Sequence, residues 1–196
     1  MARMSAEERR ALLIDAAIVV MAREGVANTT TRAIVAEAGM QIGVFHYCFR
    51  SKEELIHEVT QVIGRRTYAA VTGVLIGSTD AGELIDRAIQ AYWEDIEANP
   101  LEHLLNYELT QYALRGGGEA AQLQYAGYYA GMERVLTDLC AATGCTWTTP
   151  VDELARLTLA TVEGITFQWL VSRDEQKIRS LLARLAAQLR ADAGLG

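Results

Sequence analysis

Proline occurs only twice in these 196 residues, at positions 100 and 150. A proline inside a helix removes a backbone donor and clashes with the preceding turn, so a chain this poor in proline is free to build long helices. Ala, Leu, Arg and Glu recur throughout, and the Val/Thr-rich alternation expected of strands is missing. The expected fold is all-α. Apolar and aromatic residues make up 51% of the chain, enough for a packed core and far from the composition of a disordered segment.

Start and stop signals divide the chain into nine helices. Ser5 and Glu8 are spaced as a capping box, followed by Leu12, Leu13, Ala16, Ala17, Val20 and Met21 at helical intervals up to Gly25. The hydroxyls of Thr29, Thr30 and Thr31 suit a second N-cap, with Ile34, Val35 and Ala38 behind them and Gly39 as terminator. A short segment from Gln41 to Phe49 follows, and Ser51 with Glu54 forms another capping box opening a longer helix. Asp80 caps the fifth helix. Asn99-Pro100 ends it and starts the sixth, which runs to Gly116-Gly117-Gly118. The seventh spans Glu119 to Gly144, the eighth opens at Thr149-Pro150, and the last follows Asp174.

The net charge of −7 argues at first against a nucleic-acid partner. Its distribution changes that reading. Residues 1–66 carry nine Arg and Lys against eight Asp and Glu, whereas the remainder carries nine against 17, so the acidity belongs to the last two thirds. A local basic surface is enough to meet phosphates. Cys48, Cys140 and Cys145 match no metal-ligand spacing and are expected as reduced thiols; no metal or cofactor is expected. No apolar run reaches the roughly 18 residues of a membrane span, and the N-terminus lacks the form of a signal peptide. A soluble, cytoplasmic protein with no membrane partner is expected.

Residues 30–55, TTRAIVAEAGMQIGVFHYCFRSKEEL, have the spacing of a helix-turn-helix: a capped positioning helix, a glycine at the turn, a short second helix and a capped helix after it. The second helix of such a unit must present small or polar side chains to the major groove while its other side packs inward. Gln41, Ile42, Gly43, Val44 and Tyr47 suit the first task, Phe45 and Phe49 the second. Gln41 can bond base edges, Ile42 or Val44 can touch a thymine methyl, and Gly43 permits close backbone approach. Thr30 and Thr31 can meet a phosphate at the positioning helix's N-terminus, and Arg32 a phosphate or a guanine. Lys52 lacks an obvious carboxylate partner and is expected to contact phosphate, as is His46.

On these residues the segment resembles the N-terminal DNA-binding domain of the TetR family of bacterial transcriptional regulators. Thr30, Arg32, Ile34, Ala38, Gly39, Gly43, Phe49, Lys52 and Leu55 match that family's pattern in order and spacing, within a similarity covering roughly residues 8–66. The family usually has Tyr at the place of His46, and an aromatic or His at that of Cys48. Cys48 is read either as a packed thiol or as a redox-sensitive one. The resemblance implies a DNA-binding domain over 1–66 and a ligand-binding and dimerisation domain over 67–196. It implies a homodimer that binds a palindromic double-stranded operator at the bacterial nucleoid, most often as a repressor released by a small-molecule effector.

Aromatic residues concentrate in the four helices from 80 to 172. Tyr92, Trp93, Tyr107, Tyr112, Tyr125, Tyr128 and Phe167 either line a ligand cavity or form an ordinary aromatic core. Glu108 and Glu163 fall within apolar stretches, where an unpaired charge is costly to bury; facing a cavity they would favour a cationic or hydrogen-bond-donating ligand. The eighth helix is apolar nearly all round, so it and the ninth are either a dimer interface or a core, with Ile165, Trp169, Leu182, Leu185 and Leu189 as candidates. Two other functions compete: a constitutive DNA binder without a ligand, and an all-α enzyme carrying a helix-turn-helix head. The absence of HExxH, paired CxxC, phosphate-loop and GxSxG motifs disfavours the enzyme.

Overall fold

The computed structural model describes residues 4–195. Among these residues there are nine α-helices and no strand: α1 Ala6–Glu24, α2 Thr31–Glu37, α3 Ile42–Cys48, α4 Lys52–Thr72, α5 Ala81–Ala98, α6 Pro100–Arg115, α7 Glu119–Thr143, α8 Val151–Ser172 and α9 Glu175–Asp192.

The caps explain the boundaries. Ser5 and Glu8 form the full reciprocal box at the start of α1. At α4 the arrangement is shifted: the Ser51 hydroxyl accepts from the Glu54 N–H, but the Glu54 carboxylate reaches back to the Arg50 N–H at 2.8 Å. The Asp80 and Asp174 carboxylates accept from the third residue of α5 and α9. At the α2–α3 turn Gly39 adopts φ +63°, and the Met40 N–H returns to the Val35 carbonyl at 2.8 Å, closing α2 in the left-handed manner that glycine permits.

The chain divides into two compact units. One holds the described residues up to Gly64 together with Leu101–Gln124; the other holds Arg65–Pro100 and the described residues from Tyr125 onward. In the first unit Leu13, Ala17, Val20 and Met21 of α1 pack with Ile34, Phe45, Phe49, Leu55 and Val59, and Leu105 and Leu109 of α6 complete the same core. That burial is why α6 groups with the helix-turn-helix rather than with the rest of 67–196. Each of these leucines removes apolar surface worth about 1.5–3 kcal/mol from water.

The second unit is built on two apolar clusters. Leu84, Ile85, Leu136, Leu139, Leu154, Ala155, Leu185 and Leu189 form one. Trp93, Ile96, Ile165, Trp169, Ile178 and Leu182 form the other, where the two tryptophan rings meet edge to face at 5.7 Å. The five residues expected from the sequence at a dimer interface, Ile165, Trp169, Leu182, Leu185 and Leu189, are thus buried within their own chain, each 7% exposed or less. A helix apolar on all sides has two faces to dispose of. The open face of α8 presents Leu157, Phe167 and Val171, with Ala160 and Gly164 between them.

The expectation of three reduced thiols also needs correction. Cys140 and Cys145 are joined as a disulfide, with Cα atoms 4.7 Å apart, while Cys48 is free. Gly144 at φ +75° ends α7 and folds the chain back on its last turn, bringing Cys145 beside Cys140.

Candidate nucleic-acid interface

The positioning helix α2 begins at the capping hydroxyl of Thr30, which accepts the Ala33 N–H at 3.1 Å. Thr29 is not exposed beside it: its buried hydroxyl donates to the Gly25 carbonyl at 2.8 Å. Thr31 is half-buried and Arg32 is exposed. Phe45 on α3 and Phe49 just after it are 1% exposed and lock the helix into the core, which turns Gln41, Ile42, Gly43, His46 and Tyr47 outward. Tyr47 is 70% exposed and Ile42 is 42% exposed. Gln41 precedes α3 without a side-chain capping bond, and a Cβ at Gly43 would meet nothing within 4 Å, so this side of the helix is open. Val44 differs from its expected neighbours, being half-buried and packed against the core.

Three side chains fix α3 and the α1–α2 loop from behind. The Arg10 guanidinium donates to the Cys48 carbonyl and to the Glu54 and Glu58 carboxylates, and lies 4.2 Å from the Phe49 ring centroid. Burial opposes its charge, yet the hydrogen bonds it donates to the Glu58 and Glu54 carboxylates hold its pKa above the usual arginine value. Lys52 donates to the Val26 carbonyl at 2.9 Å, an intramolecular partner that the sequence did not disclose, and partial burial holds its ammonium pKa below the usual lysine value. Glu108 accepts the Val26 N–H at 3.1 Å. Arg10 and Glu108 gave no local signal, because their partners lie 38 to 82 residues away in sequence.

The residues expected to meet an effector belong to both units. Glu108 serves the Val26 loop, and Tyr112 packs against the first unit's core; Tyr107 lies half-buried on α6 of the same unit. Trp93 is core, with Arg179 over its ring and its indole N–H buried without a hydrogen-bond partner. Phe167 is 49% exposed on α8. Within the second unit the structure does bring Tyr125, Tyr128 and Glu163 together: the Tyr125 hydroxyl donates to Glu163 at 2.9 Å, and its ring lies 5.6 Å from that of Tyr128. Tyr92 bonds Thr166, one turn further along α8, at 2.6 Å. Burial raises the Glu163 carboxyl pKa from its ordinary value, and the Tyr125 bond works against that shift.

Residues 13–59 match the family model described as bacterial regulatory proteins, tetR family. Over 185 residues the chain is 26% identical to the HTH-type nicotine-responsive transcriptional repressor HdnoR of Paenarthrobacter nicotinovorans, covering 93% of this chain and 94% of that protein. Among solved structures it is similar to the multidrug binding protein EbrR complexed with imidazole, at 29% identity and a TM-score of 0.63 over 91% of this chain and 89% of that one. The fold is also that of the fatty acid degradation regulator FadR of Bacillus halodurans, at 18% identity and a TM-score of 0.74 over 92% and 94% of the two chains. Residues 13–59 thus match the N-terminal helix-turn-helix of the TetR family of bacterial transcriptional regulators, within an all-α chain that is similar over most of its length to a repressor of that type.

Proposed function

We propose that this protein is a ligand-responsive transcriptional repressor that binds a palindromic operator as a homodimer in the bacterial cytoplasm, at the nucleoid, and is released by a small molecule. The observation that carries the reading is the outward face of α3. A seven-residue helix that buries Phe45, is followed by a buried Phe49 and leaves a tyrosine 70% exposed has a large aromatic side chain to place against something else. Gln41, Ile42, Gly43, His46 and Tyr47 are of the size and polarity that base edges and thymine methyls accept. Thr30, Thr31 and Arg32 flank them at the start of α2, where phosphate contacts would set the register. Lys52 keeps further protons for a phosphate beside its bond to Val26.

The dimer reading rests on the open face of α8. Leu157, Phe167 and Val171 are 57%, 49% and 75% exposed, and Ala160 and Gly164 between them let a second helix approach closely. The effector reading places the ligand in the domain 67–196 and is supported by the relatives: one is named as nicotine-responsive, another as a multidrug binding protein.

Fluorescence anisotropy of the purified protein with its own upstream intergenic duplex tests this, against a scrambled duplex and at several salt concentrations. Selective binding that weakens steeply with salt is the expected result. Equal, weak binding to both duplexes would count against an operator at that locus.

A further inference from the structure

Cys140 and Cys145 are the one bonded cysteine pair among the described residues, and their bond encloses only residues 141–144. Cys140 lies in the last turn of α7, and Gly144 at φ +75° reverses the chain so that Cys145 returns beside it. Both cysteines are half-buried, while Ala141, Ala142, Gly144 and Thr146 around them are exposed. The pair therefore sits at the surface end of α7, with Cys145 resting on the rim of the cluster that contains Leu136 and Leu139.

Other contacts already hold the two sulfurs together. The Gly144 N–H donates to the Cys140 carbonyl at 2.8 Å, which closes the turn. Beyond Cys145, the Trp147 indole N–H donates to the Leu136 carbonyl at 3.0 Å while its side chain packs on the same cluster. The Thr148 N–H donates to the Asp192 carbonyl at 2.7 Å, and the Thr149 hydroxyl to the Asp192 carboxylate at 3.0 Å. The loop is thus anchored on both sides of Cys145 by bonds that do not involve sulfur. As a staple the disulfide adds little, because a cross-link acts chiefly by restricting the unfolded chain, and a loop this short restricts it least. Two thiols held adjacent and within reach of solvent are what reversible thiol–disulfide exchange requires.

We propose that Cys140 and Cys145 form a reversible redox site whose reaction partners are low-molecular-weight thiols and their disulfides. In the reducing direction the thiolate of a small thiol attacks one sulfur and forms a mixed disulfide with it. The other cysteine leaves as a thiolate and takes a proton. A second small thiol then attacks the mixed disulfide and frees the remaining cysteine, so the protein gains two electrons and two protons while two small thiols become one small disulfide. In the reverse direction a small disulfide is the oxidant: it forms the mixed disulfide on one cysteine, and the neighbouring cysteine displaces the small thiol to close the bond. In a bacterial cytoplasm, where the regulator reading puts this protein, such a pair opens and closes with the thiol pool instead of standing as a permanent cross-link.

The test uses the full wild-type chain, folded and without DNA, equilibrated anaerobically at neutral pH in glutathione buffers from fully reduced to fully oxidised. After acid quenching and alkylation, tryptic peptides are weighed; residues 135–156 carry Cys140 and Cys145 together, and Cys48 lies in a separate peptide. The 135–156 peptide is expected to pass from two alkylated cysteines to one internal disulfide in a single two-electron transition, with unchanged helical circular dichroism and a cooperative melt at both ends. Cys145→Ser keeps the helical signal and leaves Cys140 able to form only a glutathione adduct. A bond that survives the most reducing buffer until the protein is unfolded is a structural cross-link, and overturns the proposal. Cysteines that stay reduced in oxidised glutathione, or that each hold a glutathione adduct without closing, overturn it as well. Loss of helical structure on reduction does the same, because the disulfide would then be what holds the turn. Neither DNA nor α3 enters the measurement, so each of these failures leaves the regulator reading standing.

Discussion

Lys52 and Glu108 grip opposite sides of one residue's backbone: the lysine ammonium takes the Val26 carbonyl, and the glutamate carboxylate takes the Val26 N–H. Val26 is 3% exposed, so neither group has ready access to water in their place. Glu108→Ala strands the N–H and should cost about 1–3 kcal/mol of stability in denaturant unfolding. Glu108→Gln keeps an acceptor and should cost less, and the Val26 amide should lose hydrogen-exchange protection only in the alanine variant.

Arg10 plays a comparable part behind α3. Its removal leaves the Glu54 and Glu58 carboxylates without their guanidinium and the end of α3 without its bond at Cys48. Arg10→Ala is expected to lose about 1.5–3 kcal/mol by urea denaturation. Arg10→Lys should recover only part of this, since an ammonium cannot bridge both carboxylates while stacking on Phe49.

The two faces of α8 and α9 predict opposite outcomes for one kind of substitution. Leu157→Glu, on the exposed face, should leave the helical circular dichroism intact and move the protein from dimer to monomer in light scattering. Leu182→Glu puts an unpaired charge at a site 3% exposed and should abolish cooperative unfolding at any concentration.

Glu163 gives a pH signature with a definite sign. An unperturbed Glu carboxyl titrates near 4.5, and burial raises that value in the folded chain. Below the unperturbed value both states are protonated and burial carries no penalty. The penalty grows as pH rises through the folded value and is fully present above it. Glu163→Gln should therefore raise Tm relative to wild type at pH 7 and leave it unchanged near pH 3.5.

The helices and their order were legible because capping boxes, terminal glycines and the two prolines are local signals, and the outward face of α3 followed from the spacing of Phe45 and Phe49. Pairings across the sequence were not. The periodicity of α8 announces that both faces are apolar without saying which one its own chain covers: of the two readings open for Ile165 and Trp169, interface or core, both residues take the core, while Leu157, Phe167 and Val171 are exposed. Glu108 and Glu163 carry the same signal, a charge in an apolar stretch. One satisfies a loop N–H in the first unit, and the other binds a tyrosine in the second. The Cys140–Cys145 bond depends on the reversal at Gly144, and their five-residue separation matches no familiar spacing.

The most direct measurement is selection of genomic fragments by the purified protein, followed by footprinting of the enriched duplex with wild type and Tyr47→Ala. The account predicts a palindrome whose half-sites lie about 34–36 Å apart or a multiple of it, bound by wild type and lost in a Tyr47→Ala variant of unchanged Tm. Failure to enrich any sequence, or equal protection by the two proteins, would contradict the assignment of α3 as the element that reads DNA.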